Sequence, residues 1–163
     1  ARIADGLDLI AAYTFTDMEF TRSNNTVTLI DGSGVVGLQG KRPVAVPTHM
    51  ASLWAYYQMK RGSLAGLGFG GGVRYIGETF GTDSNVWNLS GFVRTPAKVP
   101  GFTLFDAVVS YDFGYATPAL KGFSAAVNAR NLFNKEYVAA CNGFGSCAYG
   151  EGRTVLATLK YRW

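Results

Sequence analysis

The sequence predicts an all-β protein, and within that class the wall of a transmembrane antiparallel β-barrel. Three observations carry this. The last stretch, Arg153 to Trp163, alternates in twos: Val155, Ala157, Leu159, Tyr161 and Trp163 share one face, and Thr154, Leu156, Thr158, Lys160 and Arg162 the other. A period of two is a strand. This one is apolar on one face to its final residue, where soluble domains usually fray into polar residues. A strand facing lipid explains that, although this stretch alone also fits a half-buried strand of a soluble sandwich. The second observation is composition. Glycines number 21 in 163 residues, aromatics make up 14% and charged residues 16%, against about 25% charged in a typical soluble domain. An outer wall in hydrocarbon, rimmed by aromatic girdles, accounts for both departures. The third is the rhythm of the connections, which run long, short, long, short, long.

The elements follow in order. Leu7 to Phe20 opens with Leu7, Leu9, Ala11, Tyr13 and Phe15 on one face and Asp8, Ile10, Ala12, Thr14 and Thr16 on the other. Asp17 and Glu19 then bring charge to the first face, so lipid contact ends before them. Arg22 to Pro47 is a long polar connection with Asn24-Asn25, Asp31-Gly32, Pro43 and Pro47. Within it, Thr26 to Ile30 is a candidate outward extension of the strand pair. Ala51 to Met59 is the second strand, with Trp54 and Tyr56 on its inner face. Lys60-Arg61-Gly62-Ser63 reads as a tight turn. Ala65 to Tyr75 carries Gly66, Gly68, Gly70 and Gly72 on one nearly bare face. That predicts strand curvature or a close contact with an internal element. Gly77 to Gly101 is the second long connection, holding Phe80, Trp87 and Phe92. Thr103 to Phe113 and Phe123 to Arg130 are strands joined by the shorter Gly114 to Gly122. Phe133 to Gly152 is the third long connection.

Six strands in three hairpins result. Long connections on one side and short turns on the other are the asymmetry of outer-membrane barrels, long loops outside the cell and short turns in the periplasm. Six strands are too few to close a membrane barrel, since known ones begin at about eight. The expectation is therefore the C-terminal part of a larger barrel over residues 1–163. A further hairpin hidden in residues 22–48 would instead make a complete eight-stranded barrel. The opening Ala1-Arg-Ile-Ala-Asp5 has no Met and no leader pattern, which fits a mature protein or a fragment.

Other classes are disfavoured. No run of 18 apolar residues is present to form a membrane helix. The net charge of +4 is scattered, so no nucleic-acid footprint forms. Cys141 and Cys147 flank a glycine-rich loop, and the only histidine, His49, is far away in sequence. A loop-closing disulfide in an oxidising compartment fits better than a zinc site. An enzyme would have to use His49, with no nucleophile elbow or carboxylate pair beside it. A plain pore would need a heavily charged constriction.

Ordered motifs then point further. Asn131-Leu-Phe-Asn-Lys-Glu-Tyr137 resembles a signature near the end of TonB-dependent outer-membrane receptors. Gly150-Glu-Gly-Arg153-Thr-Val with the aromatic terminus resembles their last strand. Pro43 with Pro47-Thr-His49 and Ser52-Leu-Trp54 resembles an upstream segment, and Val73-Arg-Tyr75-Ile-Gly77 and Val99-Pro-Gly-Phe102 with Asp106 match too. The branch resembled is that of ferric-siderophore receptors, especially the ferrichrome-type hydroxamate receptors.

The resemblance implies the last six strands of a barrel of about 22 strands, filled by an N-terminal plug that is not in these residues and driven through TonB. It implies a location in the outer membrane, among lipid and lipopolysaccharide, and a ferric siderophore as ligand. Iron stays with its chelator, so no metal ligand, cofactor or catalytic residue is expected of the protein. Haem or cobalamin would be alternative cargoes. Candidate ligand-contacting aromatics are Tyr149 after the cysteine loop, Trp87 and Phe92 in the second loop, and Phe144 between the cysteines. A girdle or loop-packing role is the plainer reading for each. Trp163 is the expected signal to the barrel-assembly machinery. Arg130, Arg153, Lys160, Arg162, Asp106 and Asp112 point inward by parity.

Overall fold

The computed structural model describes residues 1–29, 32, 34–89, 93–143 and 145–163. In chain order its strands are β1 (Arg2–Ala4), β2 (Leu7–Phe15), β3 (Thr26–Thr28), β4 (Val35–Gly37), β5 (His49–Gln58), β6 (Leu67–Ile76), β7 (Thr79–Phe80), β8 (Val86–Leu89), β9 (Val93–Pro96), β10 (Lys98–Val99), β11 (Phe102–Asp112), β12 (Phe123–Arg130), β13 (Val138–Cys141), β14 (Cys147–Tyr149) and β15 (Thr154–Tyr161). Seven of them form one antiparallel meander in the order β1-β2-β5-β6-β11-β12-β15. The other eight pair off in four small hairpins within the long connections. No helix among the described residues is long and apolar enough to cross a membrane.

All six expected strands are present, and β1 is a seventh that sequence reading missed. Three residues are too few to show a period; β1 is held only because β2 lies beside it, pairing Ala4 with Leu7. The first strand stops at Phe15, short of Phe20, where the chain leaves the sheet ahead of Asp17 and Glu19. The first short turn is longer than Lys60–Ser63. The ladder ends at Met59, which exchanges hydrogen bonds with Gly66 and Leu67, and the chain reverses between them. The hairpin expected near residue 26 exists as β3–β4 but stands apart from the meander. It therefore does not complete an eight-stranded barrel: β1 and β15 remain the two edges of the sheet. Ile30, the far end of that expected extension, lies outside the described residues.

Register joins the strands into two continuous faces. Tyr13 pairs with Ala51 and Ala51 with Tyr75; Leu53 pairs with Val73 and Val73 with Phe105; Val109 pairs with Val127 and Val127 with Ala157. Beyond His49 and Thr103 at the loop end, this face carries only aliphatic, glycine and aromatic residues. Its loop end shows Tyr13, Phe15, Tyr75 and Phe105; its turn end shows Tyr57, Phe69, Tyr111, Phe123 and Tyr161. These are the two girdles of a membrane wall. The ten residues of β5 extend roughly 33 Å; tilted as barrel strands are, they span a band about 25 Å tall. The opposite face holds Asp8, Ser52, Arg74, Asp106, Ser110, Asp112, Asn128, Arg130 and Lys160. The same face also holds Ile10, Trp54, Leu104, Val108 and Leu156, but its charged residues need a polar interior.

The bare glycine face of β6 is filled by its neighbour on the sheet. A Cβ on Gly68 or Gly72 would collide with the rings of Tyr56 and Trp54, and one on Gly70 would stand 3.0 Å from the Tyr56 ring and 2.8 Å from the Ala55 carbonyl oxygen. Trp54 and Tyr56 therefore lie across the glycines, and the Tyr56 hydroxyl reaches over β6 to the Ser110 hydroxyl at 2.7 Å. The aromatics of β5 occupy the room that sequence reading assigned to curvature or an internal element.

Candidate functional site

The long connections collect at one end of the wall, and short polar side chains decide their shape. At the top of β12, Asn131 takes a left-handed conformation with φ 49°, which asparagine tolerates better than most residues. Its side-chain amide donates to the carbonyls of Lys135 (2.8 Å) and Glu151 (3.0 Å), and its Oδ1 accepts the Lys135 N–H at 2.8 Å. Its own N–H donates to Asp106 Oδ1 at 2.9 Å. Asp106 also receives the Arg74 guanidinium in a forked ion pair. Asn134, at φ 52°, accepts the Arg153 N–H at 2.8 Å. The two asparagines of the Asn-Leu-Phe-Asn motif thus tie both feet of the third loop to β6 and β11. Asn131 is 3% exposed; its role is architectural.

The second loop is stitched to the first. Ala45 N–H donates to the Phe80 carbonyl at 2.9 Å, and Val44 N–H to Asp83 Oδ1 at 2.9 Å. Asn85 holds the backbone of Arg42 at both ends, accepting its N–H at 2.8 Å and donating to its carbonyl at 2.7 Å. Arg42 in turn reaches Thr48 and Asp17. Ala97, Val99 and Ser84 are buried beneath. The second loop also meets the third: Gly143 N–H donates to the Gly81 carbonyl at 2.7 Å.

The sequence-predicted residues separate in this setting. Cys141 and Cys147 form a disulfide across the β13–β14 pair. Trp87 is half-buried, its indole lying on Gly81, where a Cβ would stand 2.6 Å from the ring and 3.0 Å from Cys141 Cβ. Trp87 and the disulfide are brought together, and Trp87 packs the loops against each other. Tyr149 is 80% exposed. It borders a depression of about 320 Å³ with Pro100, Phe102, Tyr137 and Val138. Phe102 stacks on Tyr137 at a centroid distance of 4.2 Å and stands on the polar face, paired with Ile76. Phe92 and Phe144 lie outside the described residues. Trp163 is fully exposed beyond the end of β15, beside Tyr161. Of the residues placed inward by parity, Arg130, Asp106, Asp112 and Lys160 fall on the polar face by register. Arg162 lines a trough of about 1070 Å³ at the turn end with Tyr56, Asp112, Lys121 and Lys160. His49 sits at the loop end of the apolar face, its Nδ1 hydrogen-bonded to the Tyr13 hydroxyl at 2.8 Å. No cluster of three or more His, Cys, Asp or Glu that could hold a metal occurs among the described residues.

Sequence reading missed Asn85, Asp83 and the pairing of Phe102 with Tyr137. The first two had a weak signal, Asp83-Ser-Asn85 in a glycine-rich loop, typical of turn-forming side chains. The third had none.

The two-faced antiparallel wall has counterparts among known proteins. Residues 3–132 match the family described as TonB dependent receptor-like, beta-barrel. The chain belongs to that family. It is similar to the ferrichrome outer membrane transporter/phage receptor of Escherichia coli K12, 34% identical over 163 residues, the whole of this chain and 19% of that protein. It is also similar to the ferrioxamine receptor of Yersinia enterocolitica, 36% identical over 161 residues, 99% of this chain and 19% of that one. The fold matches the crystal structure of the siderophore receptor PiuA from Acinetobacter baumannii, with a TM-score of 0.71 and 26% identity, over 98% of this chain and 20% of that one. This TonB-dependent receptor segment thus spans about a fifth of the length of these relatives. It is a piece of the wall of a larger outer-membrane β-barrel.

Proposed function

We propose that the intact receptor captures a ferric siderophore of the hydroxamate class at the loop end and imports it by TonB-dependent active transport. The observation that carries this reading is the position of Tyr149. It is a largely exposed aromatic beside a depression floored by Phe102 and Tyr137, where the loops meet the polar face. Aromatic rings supply contact area at small entropic cost, and a phenol adds a hydrogen bond. The relatives named for ferrichrome and ferrioxamine, both iron chelates with hydroxamate groups, support the choice of class. In this reading the loops face the medium and the short turns the periplasm. The polar face and its trough pack against an N-terminal plug within a barrel of about 22 strands. TonB acts on that plug, lipopolysaccharide surrounds the wall, and the assembly machinery reads Trp163. Iron is cargo held by its chelator, and the protein makes and breaks no covalent bond.

The test is titration of the purified full-length receptor with iron-loaded ferrichrome or ferrioxamine, read by tryptophan fluorescence. Saturable quenching is expected, with radioactive iron uptake by cells that disappears without TonB. Saturable binding of haem or cobalamin, with none of any ferric hydroxamate, would replace the ligand class. Turnover of a lipid or peptide would replace the transport reading altogether.

A further inference from the structure

We infer that Asn85 is a positioning residue that makes the three loops one binding platform, so that residues 42–45 of the first loop contribute to affinity for a ligand seated on the third. The inference rests on the ferric-siderophore reading above and extends it to residues no sequence motif marks.

The geometry is a chain of short contacts between segments far apart in sequence. Asn85, at φ 59°, presents its amide edge to the Arg42 peptide and satisfies both its N–H and its carbonyl. The same Nδ2 donates to the Thr82 carbonyl at 3.0 Å, which locks the amide to its own turn. The Asn85 carbonyl receives the Ala97 N–H at 3.0 Å, and the Ala97 carbonyl receives the Gly81 N–H at 2.8 Å. Gly81 then accepts from Gly143, and the Trp87 indole and Cys141 both border it. A path of hydrogen bonds and one packed ring thus runs from the first loop, through Asn85 and the buried Ala97, to the disulfide hairpin that bears Tyr149. Asp83 adds a second tie through the Val44 N–H. Ordering loops is a cost that a ligand otherwise meets on binding; loops already tied together leave less of it. A ligand that quiets the third loop should quiet the first as well.

Hydrogen exchange of the full-length receptor, read by mass spectrometry with and without ferric ferrichrome, tests this. In the wild type the ligand is expected to slow exchange at residues 42–45 and 80–85 together with 141–149. Asn85→Gly keeps the left-handed backbone free of strain and deletes only the amide. It should speed exchange at 42–45 without ligand, confine ligand protection to 141–149, and weaken affinity about five- to tenfold. Asn85→Asp keeps the acceptor for the Arg42 N–H but sets a carboxylate oxygen against the carbonyls of Arg42 and Thr82, so it should restore none of the affinity. Asp83→Ala should act in the same direction with a smaller effect. Retained heat-modifiable migration on a gel reports an intact wall in each variant. Ligand protection at 42–45 that persists in Asn85→Gly, or unchanged affinity, overturns the inference. If the wild type binds no ferric hydroxamate, the ligand reading fails. The coupling then stands or falls on unliganded exchange: no acceleration at 42–45 in Asn85→Gly overturns it.

Discussion

The wall and the loop end of this segment are held together by different physics. The wall is a ladder whose outward face is apolar strand after strand, with the charged side chains of its barrel-spanning strands turned inward, and its order follows from chain order. Its stability comes from satisfying all backbone groups inside hydrocarbon and from matching one face to lipid. The loop end has few buried apolar side chains, Leu29, Leu38 and Ala97 among them. It is shaped instead by side chains that stand in for backbone partners, Asn131, Asn134, Asn85 and Asp83, and by one disulfide. The difference teaches where substitutions matter. In the wall, almost any apolar residue of fitting size serves at a given outward position. In the loops, each of these side chains meets one particular backbone group, and a substitution there loses that partner.

The largest expected effect tests the wall. Val127 lies in the middle of the outer face, between Val109 and Ala157. Val127→Arg should cost about 2–4 kcal/mol, the penalty for a cation on the lipid side near the bilayer midplane. Denaturant titration of the receptor refolded in vesicles would measure it; a cost near zero would mean that this face does not meet lipid.

Asn131→Ala probes the seam between the two regions. It strands the Lys135 N–H and the carbonyls of Lys135 and Glu151, and it puts alanine at φ 49°. Roughly 2–3 kcal/mol is expected. Proteolysis should show it as early cleavage in residues 133–152 with the wall still protected. Uniform loss of the whole wall would make Asn131 part of the ladder instead.

Cys141→Ser removes a cross-link closing a loop with a sequence separation of 6. So short a loop is worth about 2 kcal/mol in the chain-entropy account, confined to the third loop and to Trp87 above it. A red shift of Trp87 emission, in a variant whose other tryptophans are replaced, would record that Trp87 has lost its packing. An unchanged spectrum would show that Gly81 alone holds the indole.

Tyr149→Ala should leave stability untouched, since the side chain is largely exposed, and weaken ferric hydroxamate binding about tenfold, the worth of one well-placed aromatic contact. Equal affinity in wild type and variant would move the ligand away from the depression by Phe102.

Much of the wall was legible because its signal is local and repeated. Alternation from Phe123 to Arg130 marks β12 to the residue, and β15 sits within its expected span. β1 was illegible because three residues carry no period. In the loops, Cys141 and Cys147 announced their pairing by spacing, and Asn131 by its motif. Trp87 was legible as a loop aromatic with packing as its plainer role, but its neighbours were not, because Gly81 and Cys141 lie apart from it in sequence. The glycines of β6 read as a bare face; only the neighbouring strand reveals that Trp54 and Tyr56 cover it.

Sequence by itself determined six of the seven strands of the wall, which face of each turns outward, and that long loops share one end. A strand's two faces alternate along the chain, and lipid sorts them residue by residue. Tertiary structure alone decided what fills the glycine strip, which peptide Asn85 clasps, and that the second loop links the first to the disulfide hairpin. Those outcomes depend on which side chains face each other across neighbouring strands and between connections tens of residues apart, and no local period encodes that.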